Sequence, residues 1–279
     1  MGVMLDYHCT YGTAPQEQLP PTAYQEREEM ARLAQEQRKQ SGSPFCVLPF
    51  CHTLEAEALG AEVRFGGAGG ARVRSFRYQR PHELRELSLN FDAPRLVETI
   101  AACSLLQQRG ERVLFQISGP LTILGSLLPP EQLYRSLRKE PEQILKLMQR
   151  VSEEVKELIL RLEREGISLF SYADPSGGQN LLGPALAARI AAEHTAPFLR
   201  QLDAELRQDT LVFLCPKTAF ALLSCGLAQW QEHALGQELP YRQAALSLQG
   251  SLRFVGQSCI NRLDYSCEAI KELKLGGQE

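Results

Sequence analysis

Short apolar runs alternate along this chain with longer segments whose apolar residues recur at the helical period. Six of the runs have the length and composition of buried strands, and helical segments follow most of them. This alternation is typical of parallel βα units and predicts an α/β fold. The predicted strands are residues 45–50, 113–117, 167–172, 210–214, 227–230 and 252–255.

The clearest helical segment runs from Glu142 to Glu165, with charged residues opposite an apolar stripe. Another predicted helix starts at Asp92, because the following Pro94 favours the first helical position. A segment rich in glycine and arginine, residues 61–80, is predicted to form a hairpin. The apolar stripe of the helix from Glu142 to Glu165 consists of Leu145, Met148, Val151, Val155, Leu158 and Leu162. Further helices are predicted at residues 22–40, 184–206, 218–223, 241–248 and 265–273.

These units predict one TIM-type (β/α) barrel domain over residues 1–279, complete or cut down. The length agrees with the ~250 residues typical of such barrels. A seventh strand is predicted at residues 3–8, and no eighth is obvious. The alternatives to a complete barrel are a shortened N-terminus, a missing last βα unit, or both. Unpaired sheet edges need a cover, and a homodimer is one expectation.

The composition excludes several classes of protein. Apolar residues make up 44% and charged residues 23%, with a net charge of −3, so nothing indicates binding to nucleic acid or to anionic membranes. No apolar run approaches the ~20 residues of a membrane helix, and the start lacks a secretory signal. Eight cysteines form no C-x-x-C pair. We expect a cytoplasmic protein with reduced cysteines.

Four ordered segments resemble the superfamily of uroporphyrinogen decarboxylase and the methylcobamide:coenzyme M methyltransferases. Residues 48–62, LPFCHTLEAEALGAE, resemble the second strand and helix of the methyltransferase branch. Residues 116–122, QISGPLT, resemble its Gly-Pro-Phe-Thr turn, and residues 172–184 resemble its Ala-Asp-Pro turn. Residues 211–215, LVFLC, resemble the strand that ends in His-x-Cys.

Two departures from the superfamily decide between its branches. The arginine-rich segment that holds substrate carboxylates in the decarboxylases has no match here, so tetrapyrrole decarboxylation ranks low. The methyltransferases bind zinc through His-x-Cys and a later cysteine. Cys215 matches the first cysteine, but Phe213 stands at the histidine position, where it cannot ligate a metal.

Candidate site residues follow from the position of strand ends, since the carboxyl ends of barrel strands carry the chemistry. The resemblance implies a substitute zinc site of Cys215, Cys259 and His52 (or Cys51), where zinc would present a substrate thiol as thiolate. Asp174 and His52 are the predicted catalytic residues, and the predicted substrate-binding residues are Gln116, Ser118, Tyr172 and Cys51. Glu55 and Glu57 adjoin this rim; one of them could face the pocket, but we expect surface solvation.

The resemblance implies a corrinoid-linked methyltransferase of one-carbon metabolism. It would move a methyl group between a corrinoid bound on a separate protein and a thiol or similar acceptor. The alternative is a degenerate barrel that binds a corrinoid or a partner protein without turnover. Four arginines in the predicted hairpin could meet an anionic ligand or an acidic partner, although a solvated hairpin also explains them; they are Arg72, Arg74, Arg77 and Arg80.

Overall fold

The computed structural model of the protein describes residues 19–66 and 70–276, so the predicted strand at residues 3–8 lies outside the described part. The described residues divide into two compact units, an N-terminal unit that ends at Ile167 and a C-terminal unit that begins at Ser168. The single domain over 1–279 therefore stays a prediction. No helix in the described ranges is long and apolar enough to span a bilayer.

Most helices of the N-terminal unit begin at a proline, whose fixed φ suits the first helical position and whose missing N–H costs nothing there. The elements are α1 (Arg27–Ser41), β1 (Cys46–Leu48), α2 (Leu54–Ala58), β2 (Glu62–Arg64), β3 (Arg72–Ser75), α3 (Pro94–Gln108), β4 (Val113–Ser118), α4 (Pro120–Leu127), α5 (Pro130–Lys139) and α6 (Pro141–Arg164).

Strands β1 and β4 form the parallel pair of the N-terminal unit, with Leu48 opposite Phe115. Helices α1 and α3 pack against β1. Strands β2 and β3 pair antiparallel, which confirms the predicted hairpin, and Arg72 and Arg74 are exposed on it. The two parallel strands therefore end at the same edge, where the turns into α2 and α4 begin.

Helix α6 carries the predicted apolar stripe with one change. Met148, Val151 and the later stripe residues are buried, whereas Leu145 is only half-buried and Ile144 takes its place in the core. Charged residues occupy the opposite face. The amphipathic pattern therefore placed this helix correctly, with an error of one residue at the start of the buried face.

The C-terminal unit begins with parallel strands and ends with a long antiparallel pair. Its elements are β5 (Leu169–Ala173), α7 (Gln179–Leu182), α8 (Pro184–Ile190), a π-helical turn (Ala191–Thr195), α9 (Ala196–Glu205), β6 (Leu211–Leu214), α10 (Pro216–Ser224), β7 (Ala228–Pro240), α11 (Tyr241–Ser247), β8 (Phe254–Val255) and β9 (Ser266–Leu275). Strands β5, β6 and β8 are parallel, and β9 pairs antiparallel with both β8 and β7.

The helix predicted at residues 265–273 is wrong, because this segment forms β9. Ile270 and Leu273 have helical spacing, and Glu272 between them breaks the apolar alternation of a strand. In the structure Glu272 is nevertheless buried, since its carboxylate accepts hydrogen bonds from the Arg253 N–H at 3.0 Å and Lys274 Nζ at 2.8 Å. A paired charge therefore occupies a position where the pattern requires an apolar residue.

Aromatic side chains on the two faces of the β5–β6 pair pack against different helices. Tyr172 pairs with Leu214 and Ser171 with Phe213, so Tyr172 and Phe213 point to opposite faces. The Tyr172 ring packs against Phe198 of α9, with 5.6 Å between ring centroids. The Phe213 ring packs edge-on against Tyr241 of α11 at 5.8 Å. Helix α9 therefore packs on one face and helix α11 on the other.

We expect Leu158→Ala to lower the free energy of unfolding by about 3 kcal/mol, since Leu158 is fully buried in α6 and its loss leaves a cavity. Glu153→Ala, an exposed position on the same helix, should change it by less than ~0.5 kcal/mol. Denaturant unfolding measures both. Equal effects of the two substitutions would contradict the assigned buried face.

Candidate functional site

The polar residues of the N-terminal unit meet where β1 and β4 end. The Leu48–Pro49 peptide bond, in the turn after β1, is cis. The side-chain amide of Gln116 on β4 donates a hydrogen bond to the Pro49 carbonyl at 2.7 Å. This bond joins the two strand ends and occupies one donor of Gln116, whose role in binding substrate stays a prediction.

A chain of hydrogen bonds runs from α2 through the end of β4 to His52. The Glu55 carboxylate accepts the Ser118 backbone N–H at 2.8 Å and the Ser118 hydroxyl at 2.9 Å. Ser118 Oγ lies 3.3 Å from His52 Nδ1. Ser118 is 1% exposed, and Gly119 and Pro120 start α4 directly after it. The predicted residues His52 and Ser118 are therefore in contact.

The protein around this chain of hydrogen bonds shifts the pKa values of Glu55 and His52, the residues at its two ends. Burial raises the pKa of Glu55, whereas the Ser118 donors and the charge of Arg95 act in the opposite sense. His52 keeps part of its surface accessible, but the surrounding protein lowers the pKa of its imidazole to about 4. The imidazole is therefore neutral at physiological pH, the form that serves as a hydrogen-bond acceptor or metal ligand.

The expectation of a solvated Glu55 is wrong, since its side chain is 1% exposed. The first turn of α2 points the Glu55 side chain toward the end of β4. There the Ser118 N–H and hydroxyl donate two hydrogen bonds that offset the free-energy cost of burying a carboxylate. Glu57, two residues on, remains a quarter exposed and takes a different partner. Because two residues of a helix point in different directions, Glu55 joins the cluster around Ser118, and Glu57 joins a second cluster.

Arg95 organises the second cluster, and its sequence position gave no sign of this. Its guanidinium is almost buried in the first turn of α3 and pairs with Glu57 at 2.5 Å. It also donates to Thr53 Oγ1 at 3.2 Å and contacts Cys51 Sγ. The Phe65 ring lies 5.1 Å from the guanidinium carbon, within cation–π range. Cys51 therefore sits beside a fixed positive charge.

In the C-terminal unit, Tyr172 lies near the end of β5, and Cys215 directly follows the end of the neighbouring strand β6. The Cys215 N–H donates to the Tyr172 carbonyl at 2.9 Å, and Cys215 is the residue before α10. Asp174 accepts the Gly177 N–H through its backbone carbonyl at 3.0 Å, and its carboxylate makes no capping bond to that turn. The catalytic role of Asp174 and the substrate role of Tyr172 stay predictions.

Residues around Phe213 do not fit the zinc site of the superfamily's methyltransferases. Phe213 is 1% exposed and fills the core against Tyr241, at the position that the sequence resemblance assigns to a ligand histidine. Cys259 is buried after β8. Among residues 19–66 and 70–276, no group of three His, Cys, Asp or Glu side chains is arranged to hold a metal ion. The zinc site of Cys215, Cys259 and His52 stays a prediction.

Comparison with known proteins agrees with this fold. The sequence matches the model of the uroporphyrinogen decarboxylase family over residues 1–252. A methyltransferase from Methanosarcina mazei superposes with a TM-score of 0.62 at 18% identity, covering 74% of this chain and 62% of that one. At this identity the likeness shows the fold alone. No curated protein sequence matches the chain.

These matches confirm the predicted α/β fold of the TIM-barrel type. The chain spans about 62% of the length of the methyltransferase that it resembles. The substrates and partners of that protein are therefore not assigned to this chain by the likeness.

We expect Arg95→Ala to lower the free energy of unfolding by about 3 kcal/mol, because it leaves Glu57 and Thr53 without their buried partner. Arg109→Ala breaks a surface pair with Glu28 and should cost less than ~1 kcal/mol. Denaturant unfolding of both variants measures the difference. Similar losses in the two would show that the cluster around Arg95 adds nothing beyond a surface ion pair.

Proposed function

The chain belongs to the uroporphyrinogen decarboxylase family, and from this premise we propose that it is a corrinoid-linked methyltransferase. It moves a methyl group between a corrinoid bound on a separate protein and a thiol or similar acceptor. The segments at residues 48–62, 116–122 and 172–184 support this branch of the family. The shared fold of the methyltransferase from Methanosarcina mazei is consistent with it.

The observation that carries the proposal is the oriented imidazole of His52. It lies in the turn after β1, at the strand edge where barrel enzymes place their chemistry, and it is neutral and hydrogen-bonded through Nδ1. A neutral imidazole nitrogen accepts a hydrogen bond from a thiol and so orients its sulfur.

Methyl transfer to a thiol forms a carbon–sulfur bond and breaks the carbon–cobalt bond, whose electron pair stays on cobalt. The thiol proton passes to solvent water as the sulfur attacks. Orienting the acceptor sulfur is the contribution of His52, since a fixed attack geometry lowers the entropic part of the barrier. A bound zinc ion supplies a thiolate in related enzymes; the described residues form no such site, and no step here depends on it.

A second candidate function is binding of a corrinoid or a corrinoid protein without turnover. The packing of Phe213 against Tyr241 favours it, because an apolar core contact occupies the position of a ligand histidine. Decarboxylation of a tetrapyrrole stays the weakest candidate, since the arginine-rich segment that holds substrate carboxylates has no match in the sequence. Cytoplasmic location and a homodimer also remain predictions.

We expect His52→Ala to lower kcat/KM for methyl transfer from a methylated corrinoid protein to a thiol by about 10²-fold. The assay follows methyl–cobalt absorbance with the full-length chain. The matched control is His82→Ala, an exposed histidine that should leave the rate unchanged. Wild-type protein that forms a stoichiometric complex with the corrinoid protein, yet transfers no methyl group, would favour the binding function.

Elemental analysis of protein purified without chelators or affinity-tag metal tests the predicted zinc site. The zinc site predicted from the sequence requires about one zinc per chain in the wild type and its loss in Cys215→Ala, because a site of three protein ligands does not survive removal of a thiolate. Cys225→Ala, just after α10, is the control and should retain the metal. Absence of zinc from all three proteins would refute the zinc site and leave the family assignment intact.

A further inference from the structure

We propose that the outer face of the β2–β3 hairpin is a docking surface for a protein partner that presents an acidic surface. Three exposed arginines form this arginine face, Arg64 on β2 and Arg72 and Arg74 on β3. The identification of the partner as the corrinoid protein rests on the function proposed above, whereas the docking surface rests on the hairpin alone.

The hairpin has an apolar inner face and a charged outer face. Val63 lies opposite Val73, and both side chains are half-buried. Val63 packs against the apolar cluster around Tyr24. Arg64 lies directly opposite Arg72, and both are exposed. Because side chains alternate along a strand, this arginine pair points away from the cluster that Val63 contacts.

The chain gains no stability from this pair of arginines. Like charges at directly opposite strand positions repel, so Arg64 and Arg72 weaken the hairpin. Among residues 19–66 and 70–276, no carboxylate forms an ion pair with Arg64, Arg72 or Arg74. The carboxylate of Glu62, on the same hairpin, accepts a hydrogen bond from the Ser75 hydroxyl at 2.8 Å. A partner outside the chain accounts for charges that the described residues leave uncompensated.

The positive charge of the hairpin is local. The chain carries a net charge of −3, whereas residues 61–80 contain five arginines and one acidic residue. One of the five, Arg77, donates a hydrogen bond to the Gly60 carbonyl at 3.3 Å and so ties the end of the hairpin to its start. A positive face on an otherwise acidic protein attracts an acidic partner and orients it during approach.

The spacing of the arginines fits the carboxylates of a protein. Opposite residues of paired strands are about 5 Å apart, and alternate residues of one strand about 7 Å apart. The register shift between Glu62 and Val63 leaves Arg74 without an opposite residue, beside the Arg64–Arg72 pair. A single exposed ion pair contributes little in water. An acidic strand or helix presents carboxylates at similar intervals, so it engages several guanidinium groups at once.

The hairpin is fixed beside the candidate site. The Phe65 ring, directly after β2, lies 5.1 Å from the guanidinium carbon of Arg95 and 5.8 Å from the Tyr24 ring. Arg95 contacts Cys51, the residue before His52. A protein bound to the arginine face is therefore held next to the strand edge that carries His52, where a methyl donor on that protein has to arrive.

The kinetic experiment compares two variants of the full chain that lose the same charge. The hairpin variant combines Arg64→Gln, Arg72→Gln and Arg74→Gln, and the control variant combines Arg135→Gln, Arg138→Gln and Lys139→Gln on exposed positions of α5. We expect the hairpin variant to raise KM for the methylated corrinoid protein about tenfold, as expected for three exposed ion pairs together. Its kcat, and its rate with methylcobalamin free in solution, should match those of the wild type and the control variant.

A binding experiment tests the arginine face without methyl transfer. The probe is a fluorescently labelled poly-L-glutamate peptide, measured by anisotropy at low salt. We expect the hairpin variant to bind it about tenfold more weakly than the control variant does, and added salt to remove the difference. The hairpin variant should unfold at the wild-type temperature or above it, because the repulsion between Arg64 and Arg72 is gone. If it does not fold, Arg72→Gln alone decides by the same two measurements.

The outcomes separate the docking surface from the proposed function. Equal peptide binding by the two variants overturns the docking surface. Displacement of the peptide by equimolar inorganic phosphate, or tighter binding of single-stranded DNA that the hairpin variant loses, also overturns it. An unchanged KM for the corrinoid protein, with transfer from both donors intact, overturns the docking of that protein here and leaves the function standing. If the wild type transfers methyl from neither donor, the proposed function is refuted, and the peptide measurement alone decides the docking surface.

Discussion

The paired hydrogen bonds from Ser118 to the Glu55 carboxylate are the interaction on which the candidate site depends. They tie the first turn of α2 to the last residue of β4, where Gly119 and Pro120 begin the next helix. Because the carboxylate is buried, it must stay paired, and the pairing fixes both the Ser118 hydroxyl and the ring beyond it. The orientation of His52 is thus a consequence of satisfying a buried charge.

In the C-terminal unit, aromatic side chains determine the packing at the strand that the sequence resemblance associates with a metal ligand. Phe213 and Tyr172 alternate along neighbouring strands, and each face is covered by its own helix. The face of Phe213 is filled by the Tyr241 ring, whose hydroxyl pKa is raised well above its usual value by burial. A histidine at position 213 would place a polar ring in this apolar contact, so Phe213 suits the core that this chain has.

Sequence patterns predicted the regular elements well wherever burial follows polarity. Helix α6, strands β4 to β6 and the hairpin at residues 61–80 were placed correctly, since apolar period and turn residues there agree with the structure. Strand β9 was misread as a helix because the buried Glu272 interrupts its alternation. Glu55 and Arg95 were missed for the same reason: a buried charge is recognisable only from partners that lie far away in sequence.

Two buried carboxylates show why one belongs to a site and the other to the scaffold. Glu272 receives the Lys274 ammonium at 2.8 Å and the His233 ring at 3.0 Å, so its charge is neutralised where it arises. Glu55 accepts hydrogen bonds from the Ser118 backbone N–H and hydroxyl, and Arg95 acts on it as a nearby charge. Glu55 therefore fixes the position of the Ser118 hydroxyl, and through that hydroxyl the orientation of the His52 imidazole.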